Sequence, residues 1–448
     1  MKQQHRIAGT LFWLFLLISP LMDLINGIRM YLLSGGSGGM LSSLDLAVLP
    51  PLGPSMVVRL LFLAAMLTYL LLQKDFRPLI VLVAVGVCAA VTALLEQNSG
   101  EADLQAEVQY VVRYCYCLLV LLTYSAVFRT KWTDGNPKQR VDAILCAAQG
   151  LLALGVLLPF LFGMGFYTYA DPLGYRGCRG FFYAGNDITA ALLLLTPLTL
   201  AVWIERSGSA SAALRTASGA VNALSLCAML IIGTKTSFLA VCAIYLAYLV
   251  FGVVRGAGRR QWDLLLRVLA LLVCTLLLLL LFRLVGKLDP FQTILRSIRS
   301  VEDYMDLVDM EHGRGVETIL LSGRTATLRS AWADFTVRLP LSAFFGIGRR
   351  SQLRIIEMDL FEVLLYYGLC GAVAMLWLYV KNGLSLLRSL LRAVNARTLA
   401  GLLALGLGAG YMAAAGHVLF SVTSGFFFSF VIVYARAFLC GEQREEHP

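Results

Sequence analysis

The sequence predicts an all-α protein that crosses the membrane many times and carries one large extracytoplasmic loop. Of its 448 residues, 59% are hydrophobic and only 14% are charged, whereas soluble proteins have about 45–50% apolar and about 25% charged residues. The apolar residues form runs of about 20, the length of a helix that spans the hydrocarbon core. No run alternates with a period of two residues, as the strands of a membrane barrel do. A soluble enzyme, a disordered chain and a secreted disulfide scaffold are therefore excluded.

We predict a polytopic transmembrane helical bundle of about twelve spans, within a single integral membrane domain over residues 1–448. The first apolar run follows Lys2 and Arg6 and continues past Pro20 without a small-x-small cleavage motif, so we interpret it as an uncleaved span. The predicted spans are 8–28, 56–72, 78–95, 108–128, 143–163, 186–204, 215–232, 236–254, 264–282, 358–379, 398–416 and 418–436.

Lysine and arginine predict the orientation of these spans. With the N-terminus inside, the short outer loops hold only Arg29, Arg176, Arg179 and Lys235, and most other basic residues outside the large loop fall in inner segments. This asymmetry predicts that both termini are cytoplasmic. The net charge of +10 then mostly reflects orientation, and no basic surface with interleaved aromatic residues indicates a nucleic-acid partner.

Cysteine and histidine patterns indicate neither a disulfide framework nor a metal site. Of the ten cysteines, only Cys178 falls in an outer loop, so an external disulfide within the chain has no second cysteine. The chain has no Cys-x-x-Cys or His-Glu-x-x-His spacing, so we predict no metal site. We expect His417, at the outer turn between spans eleven and twelve, to be an interfacial residue.

Residues 283–357 form the predicted large extracytoplasmic loop, which is too long for a plain connection. Stretches 291–311 and 324–338 have apolar residues at helical spacing, which predicts short amphipathic helices on the outer membrane surface. The many arginines of this loop have a structural interpretation, as solvated faces of these helices. They also have a functional one, which depends on the glycines beside some of them.

Several basic residues outside the membrane follow glycine turns. Gly323 precedes Arg324, and Gly346-Ile347-Gly348 precedes Arg349 and Arg350. Glycine lets a ligand approach the backbone closely, and guanidinium groups pair with phosphate oxygens in a bidentate way. We therefore expect one phosphate-bearing ligand to be bound by a set of cations from several segments: Arg176, Arg179, Lys235, Arg324, Arg349 and Arg350.

Five short motifs, in this order, resemble the O-antigen ligase and O-antigen polymerase superfamily. They are Tyr183-Ala184-Gly185-Asn186-Asp187, Gly233-Thr234-Lys235-Thr236, Ser322-Gly323-Arg324 with Trp332, Gly346-Ile347-Gly348, and residues 357–371 ending in Gly368-Leu369-Cys370-Gly371. The resemblance covers about residues 170–380.

The resemblance implies a GT-C-type glycosyltransferase of the bacterial cytoplasmic membrane with its active site facing outward. Its donor would be a glycan on polyprenyl pyrophosphate, its acceptor a glycan or a lipid-linked molecule, and its other partners membrane lipids. The resemblance also implies that no metal or other cofactor is needed. Arg176 or Arg179, Lys235 and Arg324 would bind the pyrophosphate.

This sequence departs from the resembled family where ligases have a histidine just before the span that follows the large loop. Here that place reads Glu357-Met358-Asp359, with Glu362 one turn later. A carboxylate within hydrogen-bond reach can also take a proton from an acceptor hydroxyl, so Asp359, Glu357 and Glu362 are the candidate catalytic residues. The structural alternative is an ion pair of these carboxylates with Arg349, Arg350 or Arg354.

Two other functions remain open at this point. Twelve spans also suit a lipid-linked oligosaccharide flippase or a secondary transporter, although no internal repeat is visible. A cell-shape-type glycosyltransferase would use the same lipid carrier with an acidic residue in its large loop, where Asp289, Glu302 and Asp309 lie. The residues do not distinguish polymerase from ligase.

Overall fold

The computed structural model describes residues 2–36, 53–74, 76–97, 104–129, 137–171, 174–204, 211–259, 262–298, 324–349, 356–392 and 394–440. In these ranges, eleven helices are long and apolar enough to cross a membrane. This confirms the predicted polytopic all-α fold. The helices are α1 Lys2–Leu33, α2 Pro54–Leu72, α3 Arg77–Gln97, α4 Leu104–Arg129, α5 Pro137–Phe162, α6 Gly185–Ile204, α7 Ala212–Ile232, α8 Lys235–Arg259, α9 Asp263–Val285, α10 Arg324–Val337, α11 Leu341–Phe345, α12 Asp359–Arg392, α13 Ala396–Ala414 and α14 Ser424–Tyr434.

The chain divides into two compact units. Unit 1 comprises Met1–Leu61, Thr130–Asp303 and Val394–Leu407. Unit 2 comprises Phe62–Arg129, Tyr304–Ala393 and Gly408–Pro448. The single integral membrane domain inferred from the sequence stays a prediction.

A buried polar network joins α5, α6 and α7 in unit 1. The Gln149 amide donates to Thr196 Oγ1 at 3.1 Å and to Ser225 Oγ at 2.8 Å, and the Thr199 hydroxyl donates to Asn222 Oδ1 at 3.1 Å. Polar side chains inside a membrane need partners within the protein, and hydrogen bonds between helices supply them. The network therefore fixes the relative positions of these three apolar helices.

A β-hairpin occupies the connection between α5 and α6, which the sequence predicts only as a short outer loop. Strand β1, Phe166–Asp171, pairs antiparallel with β2, Gly174–Gly180. Gly177 has a φ of +63°, and a Cβ there would lie 2.2 Å from the carbonyl oxygen of Ile232. Only glycine permits this approach, so the hairpin is held against the C-terminal end of α7.

Helix α12 of unit 2 is broken at Gly368, whose φ of 65° and ψ of −166° are not helical. The Leu365 carbonyl accepts a hydrogen bond from the backbone N–H of Ile347 at 2.8 Å, and the Tyr366 carbonyl from that of Gly348 at 3.0 Å. A Cβ at Gly368 would lie 2.5 Å from the carbonyl carbon of Phe344. The glycine motif of this helix is therefore the place where residues 344–348 pack into it.

The last predicted span, 418–436, is wrong at its start. Residues 415–423 form turns, and α14 continues only through a π-helical turn, Ala435–Leu439. The apolar helix Ser424–Leu439 is shorter than the eleven membrane-spanning candidates. The reason is local, because the backbone N–H groups of Val418 and Leu419 donate to the Asp359 carboxylate instead of beginning a helix. Each of the other eleven predicted spans corresponds to one of the eleven helices.

The predicted loop 283–357 is described at residues 283–298, 324–349 and 356–357. Residues 290–298 are helical, and α10 and α11 are the helices of its second part. Helix α10 matches the predicted stretch 324–338, whereas residues 299–311 of the first predicted stretch lie outside the described residues. The placement of this loop outside the cytoplasm stays a prediction.

Candidate functional site

Three ionisable side chains of unit 2 meet at the start of α12. His417 Nδ1 lies 3.2 Å from Asp359 Oδ1 and 3.4 Å from Glu362 Oε2. The Asp359 and Glu362 side chains are 0% and 1% exposed, whereas 27% of the His417 side chain is exposed. The cluster therefore has two buried acids and one partly exposed imidazole.

Backbone and tyrosine donors hold the two carboxylates. Asp359 Oδ2 accepts from the N–H of Val418 at 2.5 Å and of Leu419 at 2.7 Å. Glu362 Oε1 accepts from the N–H of Glu357 at 2.8 Å, and its Oε2 accepts from the Tyr110 hydroxyl. Four separate donors, three backbone N–H groups and one tyrosine hydroxyl, thus hold the two carboxyl groups. Both acids are therefore fixed in position.

The pKa of His417 reports the net effect of this cluster. Burial alone lowers the pKa of the imidazole, but the charges of Glu362 and Asp359 outweigh burial and raise it to about 9. At neutral pH His417 is therefore an imidazolium between two carboxylates. Once it loses its proton, it is a stronger base than an ordinary histidine.

Asp359, Glu362 and His417 also offer one potential metal-ligand atom each, all within 4.8 Å of one another. All four carboxylate oxygens already accept hydrogen bonds or contact the imidazole. A metal ion would have to displace some of these contacts. The donor set thus fits a hydrogen-bonded acid–base group better than an open metal centre.

Arg349 lies over the ring of Tyr110, with Cζ 4.5 Å from the ring centroid. A cation–π contact of this kind holds a guanidinium in place without using its N–H donors. The Tyr110 ring also stacks on Phe420, with centroids 3.8 Å apart. Arg349 is therefore fixed beside the carboxylate cluster through Tyr110, whose hydroxyl donates to Glu362.

Arg324 is paired with Glu357. The Arg324 Nη2 and Nε atoms lie 2.5 Å and 3.1 Å from Glu357 Oε2. Glu357 adopts a left-handed φ of 56°, unusual for a residue other than glycine and common at functional sites. This conformation sends its N–H to Glu362 while its carboxylate binds Arg324. The sequence assigned the two residues separate roles, and the structure joins them in one ion pair.

In unit 1, Arg179 of β2 is buried between aromatic rings. Its Cζ lies 5.5 Å from the centroid of Phe166 and 5.8 Å from that of Tyr183. Its Nε has no hydrogen-bond partner among the described residues. Burial lowers the pKa of the guanidinium, because removal from water disfavours the charged form. An anion bound here would offset that cost.

The segments that carry Arg179 and Lys235 lie side by side in unit 1. Lys235 begins α8 two residues after Gly233, and a Cβ at Gly233 would lie 3.4 Å from the Gly177 Cα of β2. Thr168 Oγ1 on the paired strand is also buried without a hydrogen-bond partner in the described part of the chain. Two of the predicted phosphate-binding cations therefore come from neighbouring segments.

For the remaining predicted site residues the structure describes few or no side-chain contacts. Arg176 is in β2, but its side chain lies outside what the structure describes, as do Arg350 and Arg354 altogether. Asp359 and Glu362 do not form an ion pair with Arg349, which was the structural alternative. Their close contacts are His417, Tyr110 and backbone N–H groups.

Three residues of the site, His417, Tyr110 and Glu107, were not predicted from the sequence. His417 was expected at the interface alone, but it contacts both carboxylates. Glu107 is 5% exposed and accepts a 2.5 Å hydrogen bond from the Tyr367 hydroxyl. His417 is distant from Asp359 in sequence, so only its place at a turn on the same predicted side could have indicated the contact.

A family model described as "O-antigen ligase like membrane protein" matches residues 6–311. No curated protein matches the chain. The matched range includes Tyr110, Arg179 and Lys235, whereas Asp359, Glu362 and His417 lie beyond it.

Proposed function

Because the chain belongs to the family of O-antigen ligase-like membrane proteins, we propose that it is a membrane glycosyltransferase with a polyprenyl-pyrophosphate-linked donor. In this proposal it polymerises or ligates surface-polysaccharide units at the outer face of the cytoplasmic membrane. Family membership supports a membrane glycan ligase or polymerase in general. The donor, the outer face and the residue roles are parts of the proposal.

The observation that carries the proposal is the imidazole of His417 between two buried carboxylates, in the same unit as the guanidinium of Arg349. Transfer of a glycan from a pyrophosphate needs a base for the acceptor hydroxyl and a cation for the departing phosphate. His417 is the cluster member with the largest exposed fraction. In its neutral form it therefore takes the acceptor proton, while Asp359 and Glu362 orient the ring and stabilise the imidazolium that forms.

The bond changes follow from these roles. The acceptor oxygen loses its proton to His417 and forms a bond to the anomeric carbon of the donor sugar. The bond between that carbon and the phosphate oxygen breaks, and polyprenyl pyrophosphate leaves with the bonding electrons. Fixed cations lower the barrier because they stabilise the charge that develops on the leaving oxygen.

We assign the pyrophosphate to Arg349, whose guanidinium is held by an aromatic ring in the unit that contains His417. Arg179, which is held by aromatic rings in unit 1, and Lys235 stay in the proposed set of cations on sequence grounds. Arg324 acts through its pair with Glu357, which leaves Glu357 poorly placed to be a base. Arg176 and Arg350 complete the proposed set on sequence grounds alone.

A transfer assay tests this function. Purified protein in nanodiscs is incubated with a polyprenyl-pyrophosphate oligosaccharide, and mass spectrometry follows longer glycans and free polyprenyl pyrophosphate. We expect both products from the wild type, and a rate at least ~100-fold lower from His417→Gln, since a general base contributes on this scale. In sealed proteoliposomes, movement of intact donor across the bilayer without either product would instead identify a flippase.

A further inference from the structure

Residues 339–348 of unit 2 pack against the interior of two membrane-spanning helices, not against their ends. The Thr92 hydroxyl of α3 donates to the Phe345 carbonyl at 2.7 Å. On α12, the Leu365 and Tyr366 carbonyls accept from the N–H groups of Ile347 and Gly348. These contacts place the segment, which the sequence predicts only as part of the large loop 283–357, beside the spans themselves.

Helical rise gives the depth of these contacts. Thr92 lies four residues inside the end of its span at Glu96, which is about 6 Å at 1.5 Å per residue. Tyr366 lies seven residues inside the end of its span at Asp359, which is about 10 Å by the same rise. Residues 345–347 are therefore below the polar end of unit 2, as in a re-entrant segment, and Gly348 lies against the Glu96 side chain at that end.

The backbone of this segment has the hydrogen bonds that lipid surroundings require. The N–H of Ser342 donates to Arg338, that of Ala343 to Pro340 and that of Gly346 to Ser342, besides the two bonds to α12. Irregular backbone at membrane depth is stable only where protein groups satisfy it. The segment meets this condition because the break at Gly368 frees two carbonyls for it.

Large apolar side chains at the end of α10 and at the start of this segment face outward. Val337 is 85% exposed, Leu339 52%, Leu341 51% and Phe344 53%. Four such residues within a short stretch form an apolar surface that water would disfavour. We call these four residues the re-entrant surface.

Resting on the function proposed above, we infer that the re-entrant surface binds the polyprenyl chain of the donor. Arg349 follows this segment directly, and its guanidinium lies over Tyr110, whose hydroxyl contacts Glu362. A lipid with its phosphate at Arg349 has its glycan end toward the carboxylate cluster and its chain beside Phe344 and Leu341. The cationic end and the apolar surface together match an isoprenoid phosphate.

The first test compares two donors that carry the same oligosaccharide pyrophosphate, one on a long polyprenyl chain and one on a short, water-soluble isoprenoid. For Leu341→Ser/Phe344→Ser we expect kcat/KM for the long-chain donor to fall about tenfold, from the lost apolar contact, and kcat/KM for the short-chain donor to stay unchanged. Val373→Ser is the matched control, because Val373 is 57% exposed on α12. Equal losses for both donors, no loss, or the same loss in the control would overturn the inference.

A second measurement does not depend on transfer. A photoreactive p-benzoylphenylalanine replaces Phe344, or Val373 as control, in nanodiscs that contain radiolabelled polyprenyl phosphate. We expect the probe to be captured at position 344 and not at 373. Capture of bulk phospholipid alone at position 344, or equal capture at both positions, contradicts the inference, whereas failure of transfer in the wild type would contradict only the proposed function.

Discussion

Raising the pH should destabilise the folded protein through loss of the His417 proton. The pKa of His417 is about 9 in the folded protein, against 6.5 for an ordinary histidine. Below pH 6.5 both the folded and the unfolded chain carry this proton, and the full stabilisation is present. Between pH 6.5 and 9 only the folded chain holds the proton, so its stability falls as the pH rises.

The size of the effect follows from the same pKa. Each tenfold change in proton affinity corresponds to about 1.4 kcal/mol, so a pKa near 9 gives about 3 kcal/mol of stabilisation at low pH. This amount comes from the contacts of His417 Nδ1 with Asp359 at 3.2 Å and Glu362 at 3.4 Å, after the opposing effect of burial. Asp359→Asn should therefore remove part of it and leave the part due to Glu362.

Thermal unfolding in detergent between pH 6 and 10 measures this contribution. Other groups also titrate between pH 6 and 10. We therefore compare the fall in Tm over this range between the wild type and His417→Gln. We expect the wild type to lose several degrees more than His417→Gln, with Asp359→Asn between them. Parallel falls in all three proteins would refute the cluster described here.

Three further predictions concern the surroundings of the site. Gly368→Ala should lower the free energy of unfolding by more than ~2 kcal/mol, since the φ of Gly368 is positive and a Cβ would meet the Phe344 backbone. Thermal unfolding compares this variant with the control Gly383→Ala, because a Cβ at Gly383 would have nothing within 4 Å. In a double-mutant cycle of transfer rates, Arg324→Ala and Glu357→Ala should show a coupling energy of about 1 kcal/mol, which is modest because the ion pair is partly exposed. Strictly additive effects of the two substitutions would show that the two residues act separately. Arg179→Ala should raise the donor KM about tenfold or more with little change in Tm, because a charge-assisted hydrogen bond contributes about 1.5–3 kcal/mol; an unchanged KM would remove Arg179 from the site.

The membrane helices could be predicted from sequence because hydropathy is a local property. Each of the first eleven predicted spans has its helix, since a run of about 20 apolar residues has few alternatives in lipid. The twelfth failed because Asp359, distant in sequence, takes the N–H groups of Val418 and Leu419. Hydropathy carries no information on such a tertiary contact.

The two acidic residues of the candidate site could be predicted from the sequence, but its histidine could not. Asp359 and Glu362 stand out as carboxylates at the start of an apolar run, and they do come together with each other and with Arg349 through Tyr110. His417 lies on a separate turn, and no spacing rule connects it to α12. The ion pair of Arg324 with Glu357 could not be predicted from the sequence either, because it depends on the left-handed backbone conformation of Glu357.

The central claim is that His417, held by Asp359 and Glu362, removes the acceptor proton during glycan transfer. Its most direct test is kcat/KM for the acceptor from pH 6 to 10 at saturating donor, in the wild type, Asp359→Asn and His417→Gln. Our account predicts a rate that rises toward pH 9 in the wild type, a plateau reached at lower pH in Asp359→Asn, and a low, flat profile in His417→Gln. A His417→Gln enzyme with the rate and pH profile of the wild type would contradict it.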